Sequence, residues 1–273
     1  MNYRHAFHAG NFADLHKHAI LLALLAALRA ESPAVAVIDT HAGAGAYDLA
    51  GEMARRSGEA EAGVVRLKAA ADAPSVFGPL LDAIEALNKG ASGNLYPGSP
   101  LLIARALRAP DRYTGCELRS DDAGLLRQSL APFANARALE ADGFGTAADQ
   151  AGKGGRAVVV IDPPFERPDD YDRIVATTRA VLARAPDAAL AIWLPIKDLE
   201  TFDAFVRGME AVTDKLVIAE LRLRPLTDPM KMNGCAMALI GAPSAVETAA
   251  AEAGDWIAAR LGEPGGRSRV WRP

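Results

Sequence analysis

Cysteine, aromatic residues and long apolar runs are all scarce in this chain. Its two cysteines, Cys116 and Cys235, are too few for a disulfide framework or a four-cysteine zinc site. We expect both to be small apolar fillers in a reducing cytoplasm. The longest apolar run, residues 19–28, is too short to span a bilayer and lacks a signal peptide's cleavage pattern. The sequence therefore predicts a cytoplasmic protein without a membrane partner.

An excess of positive charge is also missing. The formal net charge of −4 argues against a broad nucleic-acid surface that ignores sequence, because such domains are usually basic. Local basic patches remain, and one is the arginine-containing segment 265–273, which reads as a basic tail. Half of the 273 residues are apolar, so the chain can bury a large core and leave room for one inserted subdomain.

A buried strand that ends on a carboxylate is the feature around which the chain is organised. Residues 156–166 read RAVVVIDPPFE, so an apolar run leads to Asp162 and stops at Pro163 and Pro164. In open α/β sheets the ligand crevice lies outside the carboxyl ends of the strands. We therefore expect Asp162, both prolines and Phe165 to line a pocket.

These residue types fit chemistry on the exocyclic amine of a nucleobase. Two acceptors for the two N–H groups would localise the nitrogen lone pair toward an electrophile. Asp162 offers a carboxylate, and Pro163 keeps a carbonyl although it lacks an N–H. Phe165 provides a face on which a base taken out of its stack can lie. The plain alternative is a strand end followed by a rigid turn, since turns also favour Asp and Pro.

Two other predicted strand ends suit an adenosyl ligand. The strand that ends at Asp39 leads into a loop with Gly43 and Gly45, and glycines allow close approach of the backbone to a ligand. The third glycine of the dinucleotide fingerprint is replaced by Asp48, which favours a ligand without a pyrophosphate. A later strand ends on Glu117, whose carboxylate can accept from both ribose hydroxyls.

The remaining pattern alternates helices with strands. It predicts one doubly wound α/β domain formed by residues 1–46 and 96–273, with an inserted subdomain of two helices at residues 47–95. A further strand leads to Asp142 and Gly143, where a carboxylate beside a glycine can accept from an adenine amino group.

Several short motifs together resemble one known family. They are YRHAFHAGNFAD with Lys17 and His18, DTHAGAG, YPGSP, ADGF and VIDPPF, and the resemblance covers essentially the whole chain. In these motifs the chain is similar to the RlmJ-like methyltransferases, which modify N6 of an adenine in 23S ribosomal RNA. The resemblance implies a Rossmann-like class I methyltransferase sheet, S-adenosylmethionine as cofactor and 23S ribosomal RNA as partner.

The resemblance also implies roles for individual residues. Those that would contact the methyl donor are His18, His41, Ser99, Glu117, Asp142, Gly143 and Asp162. Asp162 would also be the catalytic acceptor. By the resemblance Tyr3 would contact the RNA substrate, and the residue types at the strand end add Pro163, Pro164 and Phe165 to the predicted substrate contacts. Phe165 stands where Tyr is common in the family, so stacking is kept and only a hydroxyl is lost.

Three other functions compete with this interpretation. DNA amino-methyltransferases that act on adenine or cytosine share the DPPF motif, so DNA is an alternative substrate. All five histidines lie in the first 41 residues, which leaves open a metal-dependent hydrolase with Asp39 as a further ligand. No HExxH-like spacing is present, so we expect no metal. A non-catalytic RNA-binding module is the third alternative, and it would leave Asp162 without a use.

Overall fold

A computed structural model describes residues 4–90, 94–228 and 231–273. Its strands are β1 (Val35–Asp39), β2 (Ala46–Asp48), β3 (Leu95–Pro97), β4 (Arg112–Glu117), β5 (Ala136–Glu140), β6 (Arg156–Ile161), β7 (Ala189–Ile196), β8 (Leu216–Arg222), β9 (Gly234–Ile240) and β10 (Arg267–Trp271). Its α-helices are α1 (Phe12–Glu31), α2 (Glu52–Ser57), α3 (Arg66–Ala69), α4 (Gly78–Asn88), α5 (Ser99–Ala106), α6 (Ser120–Leu130), α7 (Gly143–Gln150), α8 (Asp170–Arg184), α9 (Leu199–Glu210) and α10 (Ser244–Leu261). Among the helices of these ranges, none combines the length and apolar character required to cross a bilayer.

Eight of these strands form one mixed sheet in the order β10-β8-β9-β7-β6-β1-β4-β5. The strands from β7 to β5 are parallel, whereas β9 is antiparallel to β7 and β8, and β10 is antiparallel to β8. The order reverses at β1, which has β4 on one side and β6 on the other. Ligands bind outside the carboxyl ends of strands at such a switch point. The predicted doubly wound Rossmann-like sheet is confirmed, with an antiparallel edge.

The strand β6 shows why the central sequence is apolar without interruption. Val158 and Val160 pack in a layer with α1, α5 and α10, whereas Val159 and Ile161 pack in a second layer with α8 and α9. Helices therefore cover both faces of this strand, and every position in its last five residues is buried. The chain leaves the sheet only at Asp162.

The helix α1 carries polar residues into the interior. Its first turn is capped by Asn11, whose side chain accepts from the backbone N–H of Asp14 at 2.9 Å. The helix packs against α5, α10, β9 and the 47–95 segment. As a result Asp14, Lys17 and His18 are all buried, although each carries an ionisable group.

The 47–95 segment is more varied than the two helices predicted for it. It contains α2, a π-helical turn at Glu61–Val65, α3, a 3-10 turn at Ser75–Phe77 and α4. At its ends β2 and β3 pair antiparallel as a separate two-stranded sheet. Each of these strands has three residues, too few for an alternating pattern to stand out in the sequence.

The predicted basic tail is wrong, because residues 267–271 form the edge strand β10. Arg269 donates through Nε to Oε2 of Glu220 at 2.7 Å, and Arg272 forms an ion pair with Glu247. Glu220 is 1% exposed, so its charge requires such partners. Arg269 therefore stabilises the sheet edge by pairing with a buried carboxylate.

Candidate active site

A cavity of about 700 Å³ opens at the carboxyl ends of β1, β4, β6 and β7. Most of the predicted site residues lie in its wall, and these are His18, His41, Ser99, Glu117, Asp162, Pro163, Pro164 and Phe165. Tyr3 lies outside the described residues. The volume is large enough for a ligand of nucleoside size or larger.

A lysine from α1 holds Asp162 in place. Lys17 donates through Nζ to Oδ2 of Asp162 at 2.7 Å and also contacts Oδ1 of Asp14 at 3.0 Å. Burial raises the pKa of Asp14, but the charges of Lys17 and His5 outweigh it and hold that pKa well below its usual range. Within the described residues Oδ1 of Asp162 makes no hydrogen bond. One carboxylate oxygen is thus anchored and the other can accept from a ligand.

The DPPF turn places an aromatic ring beside this carboxylate. Pro163 is buried, and Phe165 has a φ of +50°, in the left-handed region that non-glycine residues rarely adopt. The Phe165 ring packs against Tyr171 and Trp193, with ring centroids 5.0 and 5.8 Å apart. These contacts fix the ring at the cavity wall despite the unfavourable backbone conformation.

The loop after β1 closes over Glu117. The Glu117 carboxylate accepts from the backbone N–H of Gly43 at 3.0 Å and from that of Arg119 at 2.9 Å. Gly43 has a φ of +66°, and a Cβ added there would lie 2.4 Å from the Tyr47 hydroxyl. Burial raises the pKa of Glu117. Each carboxylate oxygen keeps a second lone pair for a ligand hydroxyl.

Asp39 orients Ser99 in the cavity wall. Oδ2 of Asp39 accepts from the Ser99 hydroxyl at 2.8 Å and from the Tyr113 hydroxyl at 3.2 Å. Burial raises the pKa of Asp39 to about 6. Gly98 is the N-cap residue of α5, and Ser99 is the first residue of that helix.

The histidines His5, His8, His18 and His41 lie in the wall of the cavity, whereas His16 is not part of that wall. His18 contacts the Tyr96 hydroxyl through Nδ1 at 2.9 Å, and His41 contacts the Thr40 hydroxyl through Nδ1 at 2.7 Å. Burial lowers the pKa of His18 to about 3 and that of His41 to about 4, so both rings are neutral at pH 7. In the described part of the chain no group of three or more possible ligands is placed to hold a metal ion. The metal-hydrolase alternative gains no support from this arrangement.

Asp142 and Gly143 lie at the amino end of α7. The Asp142 carboxylate accepts from the backbone N–H of Phe144 at 3.1 Å and pairs with Nη2 of Arg173 at 2.5 Å. A Cβ on Gly143 would lie 2.0 Å from the carbonyl oxygen of Thr40, so the glycine lets α7 close against the loop after β1. Neither residue belongs to the described cavity wall, and their contact with a donor stays a prediction.

Two apolar residues also line the cavity, and the sequence analysis did not predict them as site residues. Leu118 and Leu125 line the cavity although they are 51% and 49% exposed. Large apolar side chains left exposed in a pocket indicate a ligand contact. Their only signal in the sequence is that Leu118 follows the strand-end carboxylate, which is too weak to identify them.

The chain is similar along most of its length to proteins of known family. Residues 32–273 match the family described as ribosomal RNA large subunit methyltransferase D, RlmJ. The chain belongs to this family. A member from Haemophilus influenzae, named ribosomal RNA large subunit methyltransferase J, is 34% identical and the match covers 91% of this chain and 89% of that protein. The protein of the same name from Escherichia coli is 31% identical, with 96% and 94% covered.

A solved structure extends the family comparison to the fold. A crystal structure of a Legionella pneumophila protein superposes with a TM-score of 0.89 at 26% identity, covering 97% of this chain and 98% of that one. Coverage of this extent takes in the 47–95 segment as well as the main sheet. The resemblance found in the sequence motifs is thus confirmed, and the family is one of ribosomal RNA methyltransferases.

Proposed function

We propose that this chain transfers the methyl group of S-adenosylmethionine to N6 of an adenine in 23S ribosomal RNA. Family membership supports the class of reaction. The observation that carries the proposal is that a single cavity is lined by Asp162 and Phe165 in one part and by Gly43 and Glu117 in another. Methyl transfer requires donor and acceptor in one pocket, because alignment of the reacting atoms supplies much of the rate.

The donor part of the cavity suits S-adenosylmethionine. Glu117 would bind the ribose hydroxyls, and Leu118 and Leu125 would contact the adenine ring. Gly43 lies in the cavity wall, and because a Cβ there would meet the Tyr47 hydroxyl, a glycine is needed for the loop to pass this close to the ligand. Ser99, held by Asp39, and the neutral His18 would bind the remaining polar groups. S-adenosylmethionine supplies a methyl group that its sulfonium already activates.

The acceptor part of the cavity suits a flipped adenine. Oδ1 of Asp162 and the carbonyl oxygen of Pro163 would accept from the two N–H groups of the N6 amine and orient its lone pair. The contact from Lys17 keeps the carboxylate in one orientation. Phe165 would stack on the base. After methyl transfer, Asp162 is the group that can take the surplus proton from nitrogen.

Ribosomal RNA is favoured over DNA by the relatives. Both curated relatives are named as methyltransferases of large-subunit ribosomal RNA. The DNA alternative rests on the DPPF motif alone. An RNA substrate of this kind also supports a cytoplasmic location for the chain.

A methyl-transfer assay with two substrates tests the proposal. Purified protein would receive labelled S-adenosylmethionine with either 23S ribosomal RNA or DNA of the same sequence. We expect methylation of the RNA, and a loss of about 100-fold or more in kcat for Asp162→Asn, as for removal of a group that moves a proton. The donor should still bind, although more weakly if Asp162 contacts it, because Glu117 and its loop are untouched.

The matched control is Asp169→Asn, which removes an exposed carboxylate whose side chain pairs with Arg167. Its activity should stay close to that of the unchanged protein. Preferential methylation of DNA, or full turnover by Asp162→Asn, would contradict the proposal.

A further inference from the structure

A second cavity, of about 720 Å³, lies at the amino ends of the strands, whereas the candidate active site lies at their carboxyl ends. It is formed by the amino ends of β4 and β5, the end of α7 and the loop that leads into β6. We call it the cationic groove and define it by Arg112, Arg137 and Lys153, which lie in its wall. None of the residues proposed above for methyl transfer belongs to this described wall.

The positive charges of the groove are not neutralised by their neighbours. Arg137 donates through Nε to the Thr114 hydroxyl at 3.0 Å and through Nη2 to the side-chain oxygen of Gln150 at 2.9 Å, and both acceptors are uncharged. The side chains of Arg112 and Lys153 are exposed and form no hydrogen bond or ion pair with the described residues. Three cations therefore share one concave surface.

One carboxylate belongs to the described wall of the groove, and it is already fully engaged. Asp111 accepts from Nε of Arg29 at 3.0 Å, from the backbone N–H of Val35 at 3.0 Å and from that of Arg108 at 3.1 Å. It is 4% exposed. Asp111 thus serves the packing of α1 and β1 and leaves the groove positive.

Lys153 reaches the groove from a glycine-rich loop. Gly152, Gly154 and Gly155 surround Lys153, and all three have positive φ values, of 81°, 87° and 129°. A Cβ on Gly154 would lie 3.5 Å from Nη1 of Arg112. A side chain at Gly154 would occupy the space next to that guanidinium, so this glycine keeps it accessible.

We propose that the cationic groove binds backbone phosphates of an RNA segment away from the target nucleotide. Arginine forks match phosphate oxygens, and several cations in one groove suit consecutive phosphates better than a single small anion. The six residues of β4 separate the groove from the active-site edge by roughly 20 Å. An RNA chain with one base in the active site can span that distance. The identity of the RNA rests on the proposed function, whereas the phosphate chemistry does not.

Two double variants with equal charge change test this site. Arg112→Gln with Lys153→Gln removes two cations from the groove. The control, Arg207→Gln with Lys215→Gln, removes two exposed cations from α9 and the start of β8, whose side chains also have no described partner. Binding would be measured on a long 23S ribosomal RNA fragment and on a short hairpin that fills the active site alone, over a series of KCl concentrations.

The expected result is specific to the long fragment. The groove variant should bind it about 5- to 20-fold more weakly than the unchanged protein, and the slope of log K against log salt should fall by roughly 1.4 to 1.8, the value for two lost phosphate contacts. Short-hairpin binding should be unchanged, and the control variant should stay within about twofold on both RNAs. Equal losses in both variants, or no loss in the groove variant, would overturn the proposal.

Inorganic pyrophosphate separates RNA from a free anion. If calorimetry shows that the groove residues bind pyrophosphate while the groove variant keeps full affinity for the long fragment, the site takes free anions and the RNA proposal is wrong. If the unchanged protein binds the RNA but transfers no methyl group, the proposed function fails, and the affinity comparison still decides the role of the groove.

Discussion

At the scale of single residues, Phe165 combines an unfavourable backbone conformation with a place beside Asp162 in the cavity wall. Its ring is the platform on which we expect the target base to stack. Replacing it as Phe165→Ala should raise the KM for RNA by roughly 5- to 150-fold, since stacking of one base on an aromatic ring contributes about 1–3 kcal/mol. Donor affinity should be unchanged. Steady-state kinetics with RNA as the varied substrate would measure this.

The conservative change Phe165→Tyr is the control for that prediction. It keeps the ring and adds the hydroxyl common in the family, so activity should be retained. An effect of Phe165→Ala on the KM for S-adenosylmethionine instead of RNA would assign the ring to the donor.

Glu117 is the residue on which donor affinity should depend most. The variant Glu117→Gln keeps the shape of the side chain but loses the charge, and a hydrogen bond to a charged group is worth about 1.5–3 kcal/mol. We expect donor affinity, measured by calorimetry, to fall by roughly 10-fold or more. Glu140→Gln on the neighbouring strand is the control, because Glu140 pairs with Arg127 at the surface. Equal affinities for both variants would remove Glu117 from the donor site.

The residues at strand ends could be predicted from sequence, and their partners could not. Asp162 follows an apolar run and Glu117 ends a predicted strand, and the carboxyl edge of a parallel sheet is where such side chains meet. Lys17 lies 145 residues from Asp162, and Asp39 lies 60 residues from Ser99. These contacts exist because α1 crosses the sheet edge and α5 begins beside β1, which no local pattern encodes.

At the scale of elements, the 47–95 segment is attached to the N-terminal residues by close backbone packing. Val64 donates through its backbone N–H to the carbonyl oxygen of Gly10 at 2.8 Å. A Cβ on Gly63 would lie 2.2 Å from the same oxygen. This packing joins the segment to the beginning of α1, which carries Asp14 and Lys17.

The variant Gly63→Ala should therefore loosen the segment. We expect protease cleavage within residues 47–95 to become faster and methyl transfer to fall, because neighbouring backbone must shift and Lys17 loses support. Gly124→Ala is the control: a Cβ there meets nothing within 4 Å, and alanine favours a helix by about 1 kcal/mol over glycine. Unchanged protease resistance of Gly63→Ala would contradict this account of the packing.

Whether an element could be predicted from the sequence depends largely on its length. The strand β6 has a continuous apolar pattern, and the strand predicted to lead to Asp162 lies where the structure has it. The strands β2 and β3 are too short to show alternation. The charges of Arg267 and Arg269 led to the prediction of a solvated basic tail. These residues instead form the edge strand β10, in which Arg269 contacts Glu220.

At the scale of the whole molecule, buried histidines should make folding stability fall in acid. Burial lowers the pKa of His16 and His18 to about 3 and that of His41 to about 4, whereas an unfolded histidine titrates near 6.5. Below pH 6.5 the unfolded chain binds more protons than the folded one, so stability is lost as pH falls from about 6.5 toward 4. Asp39 acts in the opposite sense, since its raised pKa of about 6 makes the folded state the stronger proton binder between about 4 and 6.

The variant His16→Gln isolates one of these groups away from the cavity. His16 is fully buried, and the contact described for its ring is with Sγ of Cys235 at 3.7 Å. Between pH 7 and pH 5 the unchanged protein should lose about 2 kcal/mol more of its free energy of unfolding than the variant. The figure follows because pH 5 lies about 1.5 units below the pKa of about 6.5 that a histidine has in the unfolded chain. Urea unfolding at the two pH values would measure this. An identical loss in both proteins would show that His16 is not a buried neutral group.

Methylation of an adenine N6 in 23S ribosomal RNA should depend on the carboxylate of Asp162. The most direct test is to map N6-methyladenosine in 23S ribosomal RNA from cells of the source organism that lack this protein. We expect one modified adenine to be lost, and to return when the unchanged chain is supplied but not when Asp162→Asn is supplied. An unaltered methylation map in the deleted cells, or full restoration by Asp162→Asn, would contradict the account.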